Sequence, residues 1–266
     1  PDTVVFGKII LNRTAPTDRV VSSISCNAKG GNASLQIPDP GGIFEQTAGL
    51  FILPSAITSL TNLWFGYPNG TIKITGSGSI WVTSSILGAN GSGGFSGKIH
   101  VNTTGELVAG AATTTSQGGQ QRIEVSPSGI LDLEAGNVRI YGRFTLTGGT
   151  TYIRGAHVKI YQNTGAKLAI TSNAFENQIA ASLIFTSGTI TFPDVNQGDD
   201  NRTGRDLRLR ASTTSDLSGS VFIFGDGINT TTNAGTGWLI NSEMPNPINI
   251  IELNGGGVPG RNILLK

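Results

Sequence analysis

R-I-E-V-S-P-S-G-I-L-D-L, from Arg122 to Leu133, is followed by N-V-R-I-Y-G-R-F-T-L-T-G-G from Asn137 to Gly149, and then by H-V-K-I-Y-Q-N-T-G-A-K-L-A-I from His157 to Ile170. Each piece alternates apolar and polar residues, bends at a glycine and resumes. Alternation at period two marks a strand with one buried face and one wet face. Glycine at the bend reaches backbone angles that a residue with a β-carbon adopts only at a cost. Once, this would read as a hairpin. Here it recurs with a spacing.

Ile99 to Leu107 aligns with Ile123 to Leu131 at an offset of 24 (123 minus 99). Val158-Lys159-Ile160 is followed 25 positions later by Leu183-Ile184-Phe185, Leu207-Arg208-Leu209 comes 24 after that, and Ile72 lies 27 before Ile99. The 35-residue gap from Ile123 to Val158 holds an extra strand set, Val138 to Tyr152. Short strands and turns repeating every 20 to 27 residues or so predict an all-β fold, a β-solenoid whose coils bury their apolar faces by stacking. A β-sandwich or jelly roll with a chance period is the competing architecture, since it too places strands every 8 to 12 residues or so.

Composition narrows the class. Of 266 residues, 38 are glycine, 13 % are charged and 37 % are hydrophobic, enough to build a core. The net charge of +1 provides no long-range field and argues against a nucleic-acid partner. No apolar run approaches the roughly 18 residues of a membrane-spanning helix. Cys26 is the sole cysteine, so an intrachain disulfide framework is excluded. Low charge with abundant Thr, Ser, Asn and Gly fits an extracellular or cell-surface protein. The start at Pro1 points to a processed or trimmed form.

The expected organisation is one elongated domain over 1–266. It comprises an N-terminal strand and cap region (1–68), repeat coils (69–240) and C-terminal strands (241–266). Leu53, Ala56, Ile57, Leu60, Leu63 and Trp64 have helical spacing, with Ser55 available as N-cap, which predicts one short capping helix near 55–65. At the two extremes, Val4, Val5, Phe6, Ile9, Ile10 and Leu11, and Ile263, Leu264 and Leu265, are apolar strand candidates. They would cap the solenoid or join copies into a homo-oligomer or filament.

Chemistry-bearing residues are sparse. Asp194, Asn196, Asp199 and Asp200 place oxygen ligands in one loop, a candidate structural calcium site. The loop departs from the EF-hand pattern, with Gly198 at the fifth position and Arg205 at the twelfth. The competing reading pairs these carboxylates with Arg202, Arg205 and Arg208 across a solvated surface. No other cofactor is expected. His100 and His157 stand at strand positions without a triad or metal signature around them. Glycoside hydrolysis needs two carboxylates about 5 to 9.5 Å apart across a cleft. Adjacent Asp199 and Asp200 would face opposite sides of a strand, and the Asn-Thr-Asp and His-Gly elements of pectin hydrolases are absent. The expectation is a non-enzyme.

V-N-T-T-G-E-L at Val101–Leu107 and Q-N-T-G-A-K-L at Gln162–Leu168 carry a strand, glycine turn, strand rhythm. Across about 70–240 this resembles the β-solenoid adhesins of bacterial surfaces, the filamentous-haemagglutinin-like proteins and autotransporter passengers. The resemblance implies a secreted structural or adhesive protein and transfers no site residue. The expected role is a self-assembling fibre or surface-layer subunit. The alternatives are a phage or virus fibre binding a host glycan, with Trp81, Tyr141 and Tyr161 as candidate stacking rings, and, less favoured, a polysaccharide-degrading β-helix enzyme.

Overall fold

The computed structural model describes residues 8–11, 34–36, 42–53, 62–65, 70–82, 85–88, 94–110, 122–161, 173–193, 205–227, 237–254 and 263–265. All of their regular structure is β-strand. The chain opens with β1 (Lys8–Leu11), β2 (Ser34–Gln36), β3 (Ile43–Gln46), β4 (Leu50–Leu53) and β5 (Asn62–Phe65). It continues through β6 (Thr71–Gly76), β7 (Ser79–Val82), β8 (Ile86–Gly88), β9 (Lys98–Ala109) and β10 (Arg122–Val125). The middle holds β11 (Ile130–Tyr141), β12 (Arg143–Leu146), β13 (Thr150–Tyr161), β14 (Phe175–Asn177) and β15 (Ser182–Phe192). Last come β16 (Leu207–Leu209), β17 (Val221–Phe224), β18 (Trp238–Ser242), β19 (Ile250–Leu253) and β20 (Ile263–Leu265).

Every pairing is parallel, and the strands sort into two sheets by turns. The first sheet runs β1-β3-β6-β9-β11-β13-β15-β17-β19, with β4 and β7 beside it; the second runs β2-β5-β8-β10-β12-β14-β16-β18-β20. Each coil thus contributes to both sheets, which is the architecture of a β-solenoid. Its strands extend on both sides of 69–240, so segments 1–68 and 241–266 add coils to the same stack.

Strand pairing gives the coil lengths. The steps are Lys8 to Ile43 (35 residues), Ile43 to Thr71 (28), Thr71 to Lys98 (27), Lys98 to Ile130 (32) and Ile130 to Thr150 (20). They continue with Thr150 to Ser182 (32), Ile190 to Phe222 (32) and Val221 to Ile250 (29). Most exceed the 20 to 27 residues read from the sequence. Ile72 does stack on Ile99, but Ile99 stacks on Leu131, while Ile123 belongs to the other sheet between Ile86 and Phe144. Leu183 and Leu207 also lie on different sheets. The spacing of 24 therefore measures the path across one coil, from sheet to sheet.

The expected helix over 55–65 is corrected at its C-terminal part. Asn62–Phe65 is strand β5, laddered between β2 and β8, and the residues before it lie outside the described set. Parallel backbone pairing on both edges overrides a local helical spacing.

Inward residues stack as continuous rows. In the first sheet Ile80, Leu107, Val138, Val158, Ile190 and Phe222 lie one above another, all buried. In the second, Ile86, Ile123, Phe144, Phe175, Leu207 and Ile240 do the same. Near the C-terminal end the core becomes aromatic: Phe192 stacks on Phe224 at 5.0 Å, and Phe224 meets Trp238 edge-on at 6.0 Å. Each buried side chain of this size contributes about 1.5 to 3 kcal/mol relative to exposure.

Two positions show why glycine marks the bends. β9, β11, β13 and β15 each contain two paired runs separated by a register irregularity, where lower coils have separate strands such as β3 and β4. Gly136 sits at that corner with φ +104°, and a Cβ there would lie 2.6 Å from the Thr103 carbonyl oxygen. At the turn into β13, Gly149 has φ +65°, and a Cβ would come within 2.2 Å of the Gly129 carbonyl oxygen. Gly149→Ala is expected to destabilise by more than about 1 kcal/mol, read from the denaturant midpoint.

One row carries a polar break. Asn177 stacks between Leu146 and Leu209, is 0 % exposed, and neither its Oδ1 nor its Nδ2 has a hydrogen-bond partner. Asn177→Leu fills the same space with an apolar group and is expected to raise stability by about 1 to 3 kcal/mol in equilibrium denaturation. An unchanged or lower midpoint would show that the amide is satisfied.

Candidate functional site

A network of charged side chains decorates the outward side of β9, β11 and β13. Because parallel strands stack in register, Lys73, His100, Asp132 and Tyr152 form one row across four coils. Lys98, Glu134 and Arg154 flank it. Asp132 is 7 % exposed and is held by Arg154, whose Nη2 lies 2.7 and 2.9 Å from the two carboxylate oxygens and whose Nε lies 3.1 Å from Oδ1. Lys98 Nζ is 3.9 Å from Asp132. His100 Nε2 donates to Glu134 Oε2 at 2.9 Å, and Arg154 Nη2 lies 3.6 Å from that oxygen. The guanidinium also sits 5.9 Å above the Tyr152 ring centre.

The electrostatics are those of a clamp. The hydrogen bond from His100 holds the Glu134 carboxyl below its ordinary range; partial burial opposes this, and the charges of Arg154 and His100 and a bond from Asn102 reinforce it. The hydrogen bonds and charge of Asp132 raise the Arg154 pKa in turn. A general acid requires the opposite, a carboxyl pushed upward so that it keeps its proton near neutrality. Asp132 and Glu134 stand two residues apart on one side of a strand, about 7 Å by strand geometry, yet each is engaged by a cation. The arrangement cross-links three successive coils.

A second clamp joins the outer runs of β9 and β11, where Arg139 Nε donates to Glu106 Oε2 at 2.8 Å. Beside it the Tyr141 and Tyr161 rings stack at 4.9 Å with planes 16° apart. Each ring thus covers one face of the other. Trp81 is half-buried, and its indole N–H donates to the Gly110 carbonyl at 3.1 Å.

Asp194, Asn196, Asp199 and Asp200 lie outside the described residues, as do Val4, Val5 and Phe6. Among the described residues no three His, Cys, Asp or Glu side chains are grouped so as to hold a metal ion. Ile9, Ile10 and Leu11 belong to β1, which pairs with β3, and Ile10 is 51 % exposed. Ile263, Leu264 and Leu265 form β20 on β18, with Ile263 packed partly against the core. The ionic rows escaped the sequence reading because their partners are 22 to 34 residues apart, as in Arg154–Asp132 and His100–Glu134. Correct coil lengths were the signal that would have joined them.

The chain matches no family model, and no curated protein or solved structure matches it.

A carboxyl depressed in the folded state contributes stability above its unfolded pKa and loses it as pH falls toward the folded value. For Glu134 the loss begins as pH drops through the ordinary value of 4.5. Urea midpoints at about pH 7 and about pH 4 are therefore expected to fall less for Glu134→Gln than for the native protein.

Proposed function

We propose that this chain is a secreted or cell-surface structural β-solenoid whose copies join end to end in a fibre or surface layer. The carrying observation is the state of the outermost described strands. Among the described residues β1 pairs only with β3, β2 only with β5, β19 only with β17 and β20 only with β18. Each has one edge that no described strand pairs with, and an unpaired edge is a template for further parallel pairing.

Apolar exposure accompanies the open edges. Ile251 continues the row of Phe222 yet is 39 % exposed, while Ile250 and Leu253 of the same strand are 46 % and 48 % exposed. Joining β19 of one copy to β1 of the next would extend the first sheet across the joint. This contact is heterologous and does not close, so it propagates as a filament. The rhythm shared with β-solenoid adhesins supports the same reading. A fibre that binds a surface glycan is the second reading; it draws on the half-buried Trp81, Tyr141 and Tyr161 on the outer surface.

Electron microscopy and light scattering at micromolar concentration test the assembly. The full chain is expected to form filaments with a regular axial repeat. Removal of Pro1 to Asn12, or Ile251→Glu with Leu253→Glu at the other end, is expected to leave dispersed particles with an unchanged β-type circular dichroism spectrum. A full chain that stays monodisperse, or variants that assemble like it, would overturn the proposal. A glycan screen on monodisperse protein would then address the second reading.

A further inference from the structure

The outer side of the second sheet carries an unbalanced set of arginines. Arg122 on β10 and Arg143 on β12 are direct ladder neighbours. Adjacent strands lie about 4.8 Å apart, and like charges placed opposite each other destabilise a sheet. Something has to offset that repulsion.

The neighbouring carboxylates are already occupied. Glu124 Oε2 is 2.7 Å from Arg122 Nε, though too poorly aligned for a hydrogen bond, so that Nε remains without one. Glu176 lies 3.4 Å from Arg210 Nε and 3.8 Å from Arg208 Nη1, and its second oxygen accepts from Asn173 at 2.9 Å. Among the described residues Arg122, Arg143, Arg208 and Arg210 are thus set against Glu124 and Glu176, four positive charges to two negative. Arg143 is the residue left over. Its Nε is buried without a hydrogen-bond partner, and no carboxylate among the described residues lies within ion-pair distance. Burial first, and then the Arg122 charge, lower its pKa; Glu124 and Glu176 oppose this only from a distance. A buried Nε–H of a charged guanidinium with no acceptor is costly, and a bound anion that accepts from it removes the cost.

We propose that Arg122 and Arg143 form an oxyanion site in which one sulfate, phosphate or sugar carboxylate bridges guanidinium groups on successive coils. Arginine suits this role because its planar fork presents paired donors to planar or tetrahedral oxyanions. With a chain net charge of +1 there is no extended field to gather a polyanion such as nucleic acid, so recognition is short-range and local. The site is independent of end-to-end assembly.

Thermal unfolding in about 10 mM sulfate, against chloride at matched ionic strength, reads the site through ligand linkage. Sulfate also stabilises proteins generally by exclusion from their surface, so the readout is the difference between native protein and variants. The native melting temperature is expected to rise more than that of Arg143→Gln or Arg122→Gln, with affinity at least about tenfold weaker in each variant. Arg143→Lys keeps the charge but not the fork and is expected to recover only part of the response. An oligouronate against a neutral oligosaccharide separates the sources: a shift at lower uronate than sulfate concentration assigns the site to acidic sugars, and a response to inorganic anions alone assigns it to free anions. Both outcomes support the site. Equal responses of native protein and glutamine variants, or no saturable binding of sulfate or uronate by calorimetry on the native protein, would overturn it.

Discussion

A single coil of this chain cannot satisfy its own backbone. Its strands point their N–H and C=O groups along the solenoid axis, and only the coils above and below can accept and donate to them. Parallel pairing between coils is thus the interaction on which the structure depends. It aligns the core rows, sets side chains of successive coils side by side, and makes stability a sum of nearest-neighbour contacts.

The same alignment organises the polar surface. An outward residue meets its equivalents in the adjacent coils, so favourable and unfavourable pairs are both created by register. Arg154 with Asp132, His100 with Glu134 and Arg139 with Glu106 use it to tie coils together. Arg122 beside Arg143 is the opposite case, like charges brought together by the ladder. Such pairs stabilise or destabilise by a few tenths to about 1 kcal/mol. Their larger effect is on specificity, since a shift of one residue would turn the ionic rows inward and the apolar rows outward.

The fold class was legible because period-two alternation with glycine bends is a direct imprint of half-buried strands. Coil length was less so. Leu183 and Leu207 both present an apolar-polar-apolar triplet, and nothing local states that one faces the first sheet and the other the second. The helix expected near 55–65 shows the same limit, since backbone pairing of Asn62–Phe65 with β2 and β8 outweighed side-chain spacing. Of the surface clusters, the residue types were visible and the partnerships were not. A contact between Asp132 and Arg154 exists only once the 20-residue step between their coils is known.

The unequal coil lengths have a consequence for how such a chain can change. A coil of 35 residues and a coil of 20 residues each raise the stack by one strand spacing, about 4.8 Å. The paired strands keep one register whatever number of residues separates them along the chain. Axial length and contour length are therefore decoupled. Material inserted at a bend widens the solenoid locally without displacing any coil along the axis, so the outer surface can be elaborated while the axial repeat is conserved.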